Sequence, residues 1–153
     1  MPSDAQALSE YVAEHLPLST AMGARVEEAG DAGVTLLFPI GPNLNHERTA
    51  FGGSLSAAGM LAGWSLIWLR ARHLTPTPRL VIAESQTRFI RPVDADFLAR
   101  AAWPRDDSWA MAADALARHG RAKLSIRTEL VVHDRVAAVH DGDFAVIARP
   151  ASG

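Results

Sequence analysis

The sequence of 153 residues contains no cysteine, and it lacks several other features that would assign it to a class. Without thiols it cannot form a disulfide, a cysteine nucleophile or a Cys-ligated zinc site. No positively charged N-terminal region precedes a short apolar run, so we expect no signal peptide and a cytoplasmic location. The net charge of −2 provides no general attraction for nucleic acid. The six histidines form neither an i, i+4 pair nor a cluster with carboxylates, and we expect no metal site.

Charge is also absent from one long segment, Ala50 to Leu69. A segment of this length can cross a bilayer as a helix, and it can equally be a helix buried inside a soluble domain. Its four glycines and three serines lower its apolarity, and more than half of the chain follows it with the alternation of β-strands. The sequence therefore favours a buried helix and no membrane span.

Local patterns predict one α+β domain over residues 1–153. We expect an N-terminal helix over about 4–16, capped by Ser3 or Asp4, and a long central helix over about 52–72. A hairpin of two strands lies between these helices, and three to four antiparallel strands with one inserted helix follow them. A curved antiparallel sheet wrapped around the central helix would bury the apolar surface of that helix.

The first strand after the central helix, 79–93, shows an uninterrupted alternation. This pattern places Ser85 on one face and Glu84 on the other, beside Leu80 and Ile82. Burial among such apolar neighbours would raise the pKa of the Glu84 carboxyl, as a general base near neutral pH requires. The alternative is a strand residue that pairs with Arg88 on the same face.

Several motifs together resemble one family. Asn43-Leu44-Asn45 followed by Thr49-Ala50-Phe51-Gly52-Gly53-Ser54-Leu55 resembles the entry to the central helix of hotdog-fold thioesterases. The other matching motifs are Phe89-Ile90-Arg91-Pro92-Val93, Gly120-Arg121-Ala122 and Gly142-Asp143-Phe144-Ala145-Val146. The chain is similar to the thioesterase family whose domain also occurs C-terminal to some GNAT acetyltransferases, over nearly all of its length after about Leu16.

This resemblance implies the hotdog fold, dimerisation through paired sheets, and hydrolysis of acyl thioesters in fatty acid metabolism. The partners would be acyl-CoA or an acyl-carrier protein. No cofactor is implied beyond the coenzyme A or phosphopantetheine that belongs to the substrate. Outward-facing apolar groups such as Val131 would favour a homodimer or a dimer of dimers.

Thioester hydrolysis needs donors for the carbonyl oxygen, an activated water and space for the acyl chain. A helix that starts at Gly52 and Gly53 has free N–H groups at the positive end of its dipole, and glycine lets a carbonyl approach closely. The alternative is that these glycines only permit tight packing. We expect catalytic roles for Asn45, Thr49, Gly53 and Glu84, and substrate contacts from Phe51, Gly52, Ser54, Ser85, Arg88 and Arg91.

The general base is the open question at this stage. The central helix has no Asp or Glu from Gly52 to Leu69, and Phe51 occupies a position where many relatives have His. Glu47 and His46 are further candidates in the loop before the helix, although solvated loop residues are the simpler interpretation. Asn45 and Thr49 could orient a water or only close a local turn. Ser54 lacks the Gly-x-Ser-x-Gly elbow of a serine nucleophile, and Arg88, Arg91 and Arg121 could contact the phosphates of coenzyme A.

Three functions therefore stay in consideration. An acyl-thioester hydrolase is favoured by the resemblance and by the glycine pair. A non-catalytic acyl-binding module is the second candidate, because the central helix lacks a carboxylate. A hotdog dehydratase or hydratase is the third, and Phe51 argues against it because such chemistry calls for a histidine and acid pair.

Overall fold

The structure is a computed structural model that describes residues 1–150. Within these residues a single six-stranded antiparallel sheet has the order β1-β2-β4-β5-β6-β3, so β1 and β3 are its edges. The helices are α1 (Asp4–His15), α2 (Pro17–Ala21), α3 (Gly52–Ala71) and α4 (Ser108–His119). The strands are β1 (Arg25–Ala29), β2 (Gly33–Phe38), β3 (Arg79–Phe89), β4 (Phe97–Ala102), β5 (Arg121–Val132) and β6 (Arg135–Ile147).

The uncharged helix α3 lies at the centre of the fold. It contacts every strand from β2 to β6, and Ala58, Ala62 and Ile67 are completely buried. The predicted α+β architecture, a long helix enclosed by a curved antiparallel sheet, is confirmed. Within residues 1–150 no helix combines the length and the apolarity needed to cross a bilayer.

Two glycines of α3 allow the sheet to approach the helix closely. A Cβ added to Gly59 would overlap the side chain of His140, and one added to Gly63 would lie 3.0 Å from the ring of Phe144. Glycines at this helical spacing predict the close approach of another backbone, whereas the groups that approach are side chains of β6. The buried hydroxyl of Thr128 donates to the carbonyl oxygen of Gly59 at 3.2 Å, which fixes β5 against the same turn.

The ends of the helices follow their local signals in most cases. Ser3 and Gln6 form a complete capping box at the start of α1. Gly120 ends α4 in the left-handed conformation, with φ of 74°, as the sequence predicts. Pro17 follows the end of α1, where proline predicts a helix stop, and it also begins the short helix α2, because proline is tolerated in the first turn of a helix.

The alternation predicted for 79–93 is wrong in one respect, because β3 contains a bulge between Ile82 and Glu84. Leu80 and Ile82 pack against the core before the bulge, and Thr87 turns inward after it. An extra residue in one strand moves the following side chains to the opposite face. The sequence Asp141-Gly142-Asp143 also predicts a bulge, but β6 runs without a break through these residues.

Candidate functional site

The start of α3 has two unpaired backbone donors. The loop before it is fixed by the bonds from Ala50 N to Val93 O and from Phe51 N to Asn43 O, both 2.7 Å long. Ser54 N bonds back to Phe51 O at 2.9 Å, and no side chain caps the helix. Within residues 1–150 the N–H groups of Gly52 and Gly53 therefore have no acceptor. They lie at the positive end of a 20-residue helix, which favours a bound group that carries negative charge.

An aromatic ring lies beside each of the two glycines. A Cβ added to Gly53 would overlap the ring of Phe51, and one added to Gly52 would lie 3.4 Å from the ring of Phe89. Both rings are largely exposed, at 58% for Phe51 and 55% for Phe89. The missing Cβ of Gly53 therefore makes room for the ring of Phe51, and beside this apolar rim Gly52 is half-buried and Gly53 is exposed.

Asn45 and Thr49 bind each other in the loop that leads into α3. The Asn45 amide donates to Thr49 Oγ1 at 3.0 Å, and its Oδ1 accepts from Glu47 N at 2.8 Å and from Thr49 N at 3.1 Å. These bonds form a local turn, which is the alternative that the sequence left open. His46 and Glu47 are exposed and lie 3.4 Å apart as a surface pair.

The prediction that Glu84 is buried beside Leu80 and Ile82 is wrong. Because of the bulge, Glu84 is exposed on the outer face of β3, opposite Asp143 of β6, and it is not buried among Leu80 and Ile82. Arg88 is exposed on the same outer face and helps to lower the pKa of the Asp141 carboxyl, although the hydrogen bond from Arg127 is the main cause. The outer face of this edge is therefore charged, and the structure separates it from the start of α3.

Arg91 and Arg121 occupy different places. Arg91 follows β3 and is half-buried, with its Nε donating to Val136 O at 3.1 Å. Arg121 is exposed at the first position of β5. Ser54 is half-buried in the first turn of α3, next to the glycine pair. Of the predicted residues, the structure groups Phe51, Gly52, Gly53 and Ser54 at one point.

The inner face of β3 has a row of hydroxyl groups that ends at a histidine missed by the sequence analysis. Thr87 Oγ1 lies 2.8 Å from Ser56 Oγ of α3, and Ser85 Oγ lies 2.7 Å from His140 Nε2 of β6. His140 is fully buried, and its Nδ1 has no partner within residues 1–150. Burial lowers the pKa of His140, an effect that the nearby Asp141 opposes.

His140 could have been found from the alternation of β6. It occupies the same face as Ala138 and Gly142, both buried, and a strand with small residues at two such positions leaves space for a ring between them. The charged neighbours Asp141 and Asp143, with Gly142 between them, instead indicated a bulge. Across residues 1–150 the structure brings no group of three potential metal ligands together.

An apolar groove begins one turn beyond the glycine pair. Its volume is about 240 Å³, and it lies between α2, α3 and the edge strand β3. Residues of α3 that include Ala57, Met60 and Trp64 form one side, and Ile82 of β3 forms part of the other. The site therefore combines unpaired donors, an aromatic rim and an adjoining apolar space.

Comparison with known families gives one match over most of the chain. The model of the family described as "Putative thioesterase (yiiD_Cterm)" matches residues 5–148. This is the family to which the sequence motifs pointed, so the resemblance stated above is confirmed.

Solved structures with the same fold come from several bacteria. A protein of unknown function from Chlorobaculum tepidum TLS has a TM-score of 0.87 at 25% identity, with 95% of this chain and 94% of that one covered. A "putative thioesterase" from Shewanella oneidensis has a TM-score of 0.80 at 23% identity, with coverage of 96% and 99%. A "probable thioesterase" from Pseudomonas aeruginosa has a TM-score of 0.84 at 21% identity, with coverage of 97% and 99%. These similarities confirm the hotdog fold.

Proposed function

The chain belongs to this thioesterase family, and we propose that it hydrolyses acyl thioesters whose carbonyl oxygen binds at the start of α3. The observation that carries the proposal is the pair of unpaired amides at Gly52 and Gly53. A tetrahedral intermediate of thioester hydrolysis places negative charge on this oxygen. One such donor typically contributes about 3 kcal/mol of transition-state stabilisation, or about a hundredfold in rate.

The aromatic rim and the entry loop support the same role. Phe51 and Phe89 would offer apolar surface beside the carbonyl, and a substrate that covers this surface would displace water from it, which strengthens the hydrogen bonds from the amides. Asn45 and Thr49 would act by holding the loop that positions Phe51, because the hydrogen bonds of Asn45 go to this loop. We assign no base to Glu84, since it is exposed on the outer face of the sheet.

The proposed substrates are thioesters of coenzyme A or of an acyl-carrier protein. The resemblance pointed to these carriers, and the exposed position of Gly53 would admit a long pantetheine arm. Contacts of Arg88 and Arg91 with the carrier stay predictions, as does a cytoplasmic location.

We also propose a homodimer formed through β3. This strand is an 11-residue sheet edge, and such edges present unpaired backbone groups to other chains. Val81, Phe89 and Ile90 on or next to it are exposed by 41%, 55% and 47%. The expectation for Val131 is wrong, because this residue is buried within the chain and cannot serve as a contact surface.

A pair of substitutions at Gly52 tests the donor role. Gly52 is the first residue of α3, where proline is tolerated because its N–H has no partner within the helix. Phe51 before it has ψ of 133°, a conformation that a following proline accepts. Gly52→Pro therefore removes the donor and keeps the helix, whereas Gly52→Ala keeps the donor and adds a methyl group at ordinary contact distance from Phe89.

Free thiol released from a panel of acyl-CoAs gives the readout. We expect kcat/KM to fall about a hundredfold in Gly52→Pro and to stay within a few-fold of the wild type in Gly52→Ala, at equal melting temperatures. Equal activity in the two variants would show that this amide does not stabilise the reacting oxygen.

A non-catalytic acyl-binding module is the second candidate. It is favoured by the lack of any Asp or Glu along α3, together with the outward position of Glu84. This function predicts saturable binding of an acyl-CoA with no release of thiol from short, medium or long chains. Turnover by the wild-type protein that falls about a hundredfold in Gly52→Pro would exclude this function.

A further inference from the structure

The apolar groove continues along the same face of α3 that begins at the glycine pair. Gly53, Ala57, Met60 and Trp64 are spaced at i, i+4, i+7 and i+11, so they lie on one face of the helix. The last three line the groove, and Gly53 carries one of the unpaired amides. The ring of Phe51 covers Gly53 on this face, so a chain attached to a carbonyl at the glycine amides would pass along that ring before it enters the groove.

The walls of the groove offer a ligand almost nothing but hydrocarbon. Leu18 and Met22 contribute from the α2 side, Ile82 from β3, and Phe144 from β6. Two lining side chains carry a polar group, and both have partners within the chain: the Ser19 hydroxyl donates to Leu16 O at 2.6 Å, and the Trp64 indole N–H donates to Leu80 O at 3.2 Å. A hydroxyl, keto or charged group on the ligand would lose its hydration here without a new partner, which disfavours substituted chains.

The length of the groove sets the length of the acyl chain that it can hold. At 1.5 Å per residue, Ala57 lies about 6 Å and Trp64 about 16 Å beyond Gly53 along the helix axis. Carbon–carbon bonds of about 1.5 Å advance an extended chain by about 1.3 Å each, so these distances correspond to about 5 and 13 bonds. The volume of about 240 Å³ holds about eight groups of the size of a water molecule.

We propose that this groove binds the hydrocarbon chain of an unsubstituted medium-chain acyl thioester of about 8 to 12 carbons. This inference rests on the proposed function, because it takes the carbonyl position from the glycine pair. Shorter chains would end before the groove, and longer ones would extend past Trp64. Between 6 and 12 carbons we expect kcat/KM to rise up to about fourfold for each methylene that enters the groove.

Filling and enlarging the groove test the assignment. Ala57→Leu adds bulk at its entrance, and Met60→Ala enlarges its middle. The matched control is Ala110→Leu, which makes the same change on an exposed position of α4. Activity is measured on saturated acyl-CoAs from C4 to C16, and binding is measured by calorimetry with decyl-CoA, a thioether that cannot be hydrolysed.

The expected result is a wild-type optimum between C8 and C12. Ala57→Leu should lower kcat/KM for C12 at least tenfold and leave C4 within twofold, whereas Met60→Ala should move the optimum to longer chains. The Ala110→Leu variant should keep the wild-type profile. Decyl-CoA should bind the wild type at least tenfold more tightly than it binds Ala57→Leu.

Other outcomes separate the two proposals. Hydrolysis with a chain-length profile that Ala57→Leu does not change would overturn the groove and leave the hydrolase intact. Tight, Ala57-dependent binding of decyl-CoA without any hydrolysis would support the groove and overturn the hydrolase. Ala57→Leu could instead change the sedimentation coefficient and leave the acyl-chain preference unchanged. This result would show that a second copy of the protein covers the groove, and it would also overturn the assignment.

Discussion

Gly59→Ala is the substitution for which the structure predicts an effect opposite to that of helix propensity. Alanine in place of glycine in a helix interior normally stabilises by about 1 kcal/mol. At Gly59 the added Cβ would overlap the Cβ of His140 and lie 2.6 Å from its Cγ, whereas carbon atoms pack at about 3.5–4.0 Å. The carbonyl of Gly59 also accepts the Thr128 bond, so the helix cannot simply turn away.

The magnitude follows from the atoms that must move. The Cβ of His140 is fixed to the backbone of β6, so relief requires a shift of about 1 Å between helix and strand. Overpacking of this kind costs about 1–3 kcal/mol, and weakening of the bond between His140 and Ser85 would add about 1 kcal/mol. After the propensity gain of about 1 kcal/mol, we expect Gly59→Ala to lower the free energy of unfolding by about 1–3 kcal/mol.

Two further glycines provide a graded comparison. Gly63→Ala would bring a Cβ to 3.0 Å from the edge of the Phe144 ring, which can tilt, so we expect a smaller loss than at Gly59. Gly30→Ala, in the hairpin between β1 and β2, meets nothing within 4 Å and should be neutral or stabilising by a few tenths of a kcal/mol.

Urea unfolding followed by tryptophan fluorescence provides the assay, because Trp64 and Trp68 of α3 report on the packing of this helix. All variants are compared at one protein concentration, since self-association would make the apparent stability depend on it. A Gly59→Ala protein as stable as Gly30→Ala would refute the close contact between α3 and β6.

Three other predictions concern the core and the sheet edge. Burial lowers the pKa of His140, so below about pH 6.5 the unfolded chain binds more protons than the folded chain. The free energy of unfolding should therefore fall as the pH decreases through that value. In urea unfolding midpoints measured from pH 8 to 5, His140→Phe should flatten this decrease. The buried Asn43 amide donates to Met22 O at 2.9 Å and to Pro39 O at 2.8 Å. Asn43→Ala should therefore cost about 2–3 kcal/mol in thermal melts, and an unchanged melting temperature would contradict this. By light scattering, we expect the mass of a dimer for the wild type and the mass of a monomer for Ile90→Lys. A dimer mass for the variant would show that β3 is not the interface.

The sequence predicts the elements whose signals are local. The uncharged run of α3 exceeds the length of an ordinary surface helix, and Gly120 ends α4 in a conformation that glycine adopts without strain. The pairing of β5 with β6 follows a turn at His133 and Asp134, both with positive φ. For these elements propensity and tertiary structure agree, so local patterns were sufficient.

The candidate site could be predicted only where it is contiguous in sequence. Phe51 to Ser54 form one segment, and the motif that contains them indicated the start of a helix. His140 meets Gly59 and Ser85 only because two strands and a helix converge, and these residues are at least 26 positions apart. The apolar groove likewise combines side chains of α2, α3, β3 and β6, which no periodicity within one segment reveals.

The bulge in β3 explains why the site contains hydroxyl groups and no carboxylate. With regular alternation from Ile82, the strand would direct Glu84 inward, towards the helix turn that Gly59 occupies. Burial of a carboxylate there would cost several kcal/mol, and the ring beside Gly59 is that of the buried His140, whose charged form burial also disfavours. The bulge places Glu84 among the charged side chains of the outer face and turns Ser85 towards His140. The interior beside α3 therefore stays uncharged, and the positive end of the helix has no buried carboxylate competing with a substrate oxygen for its two free amides.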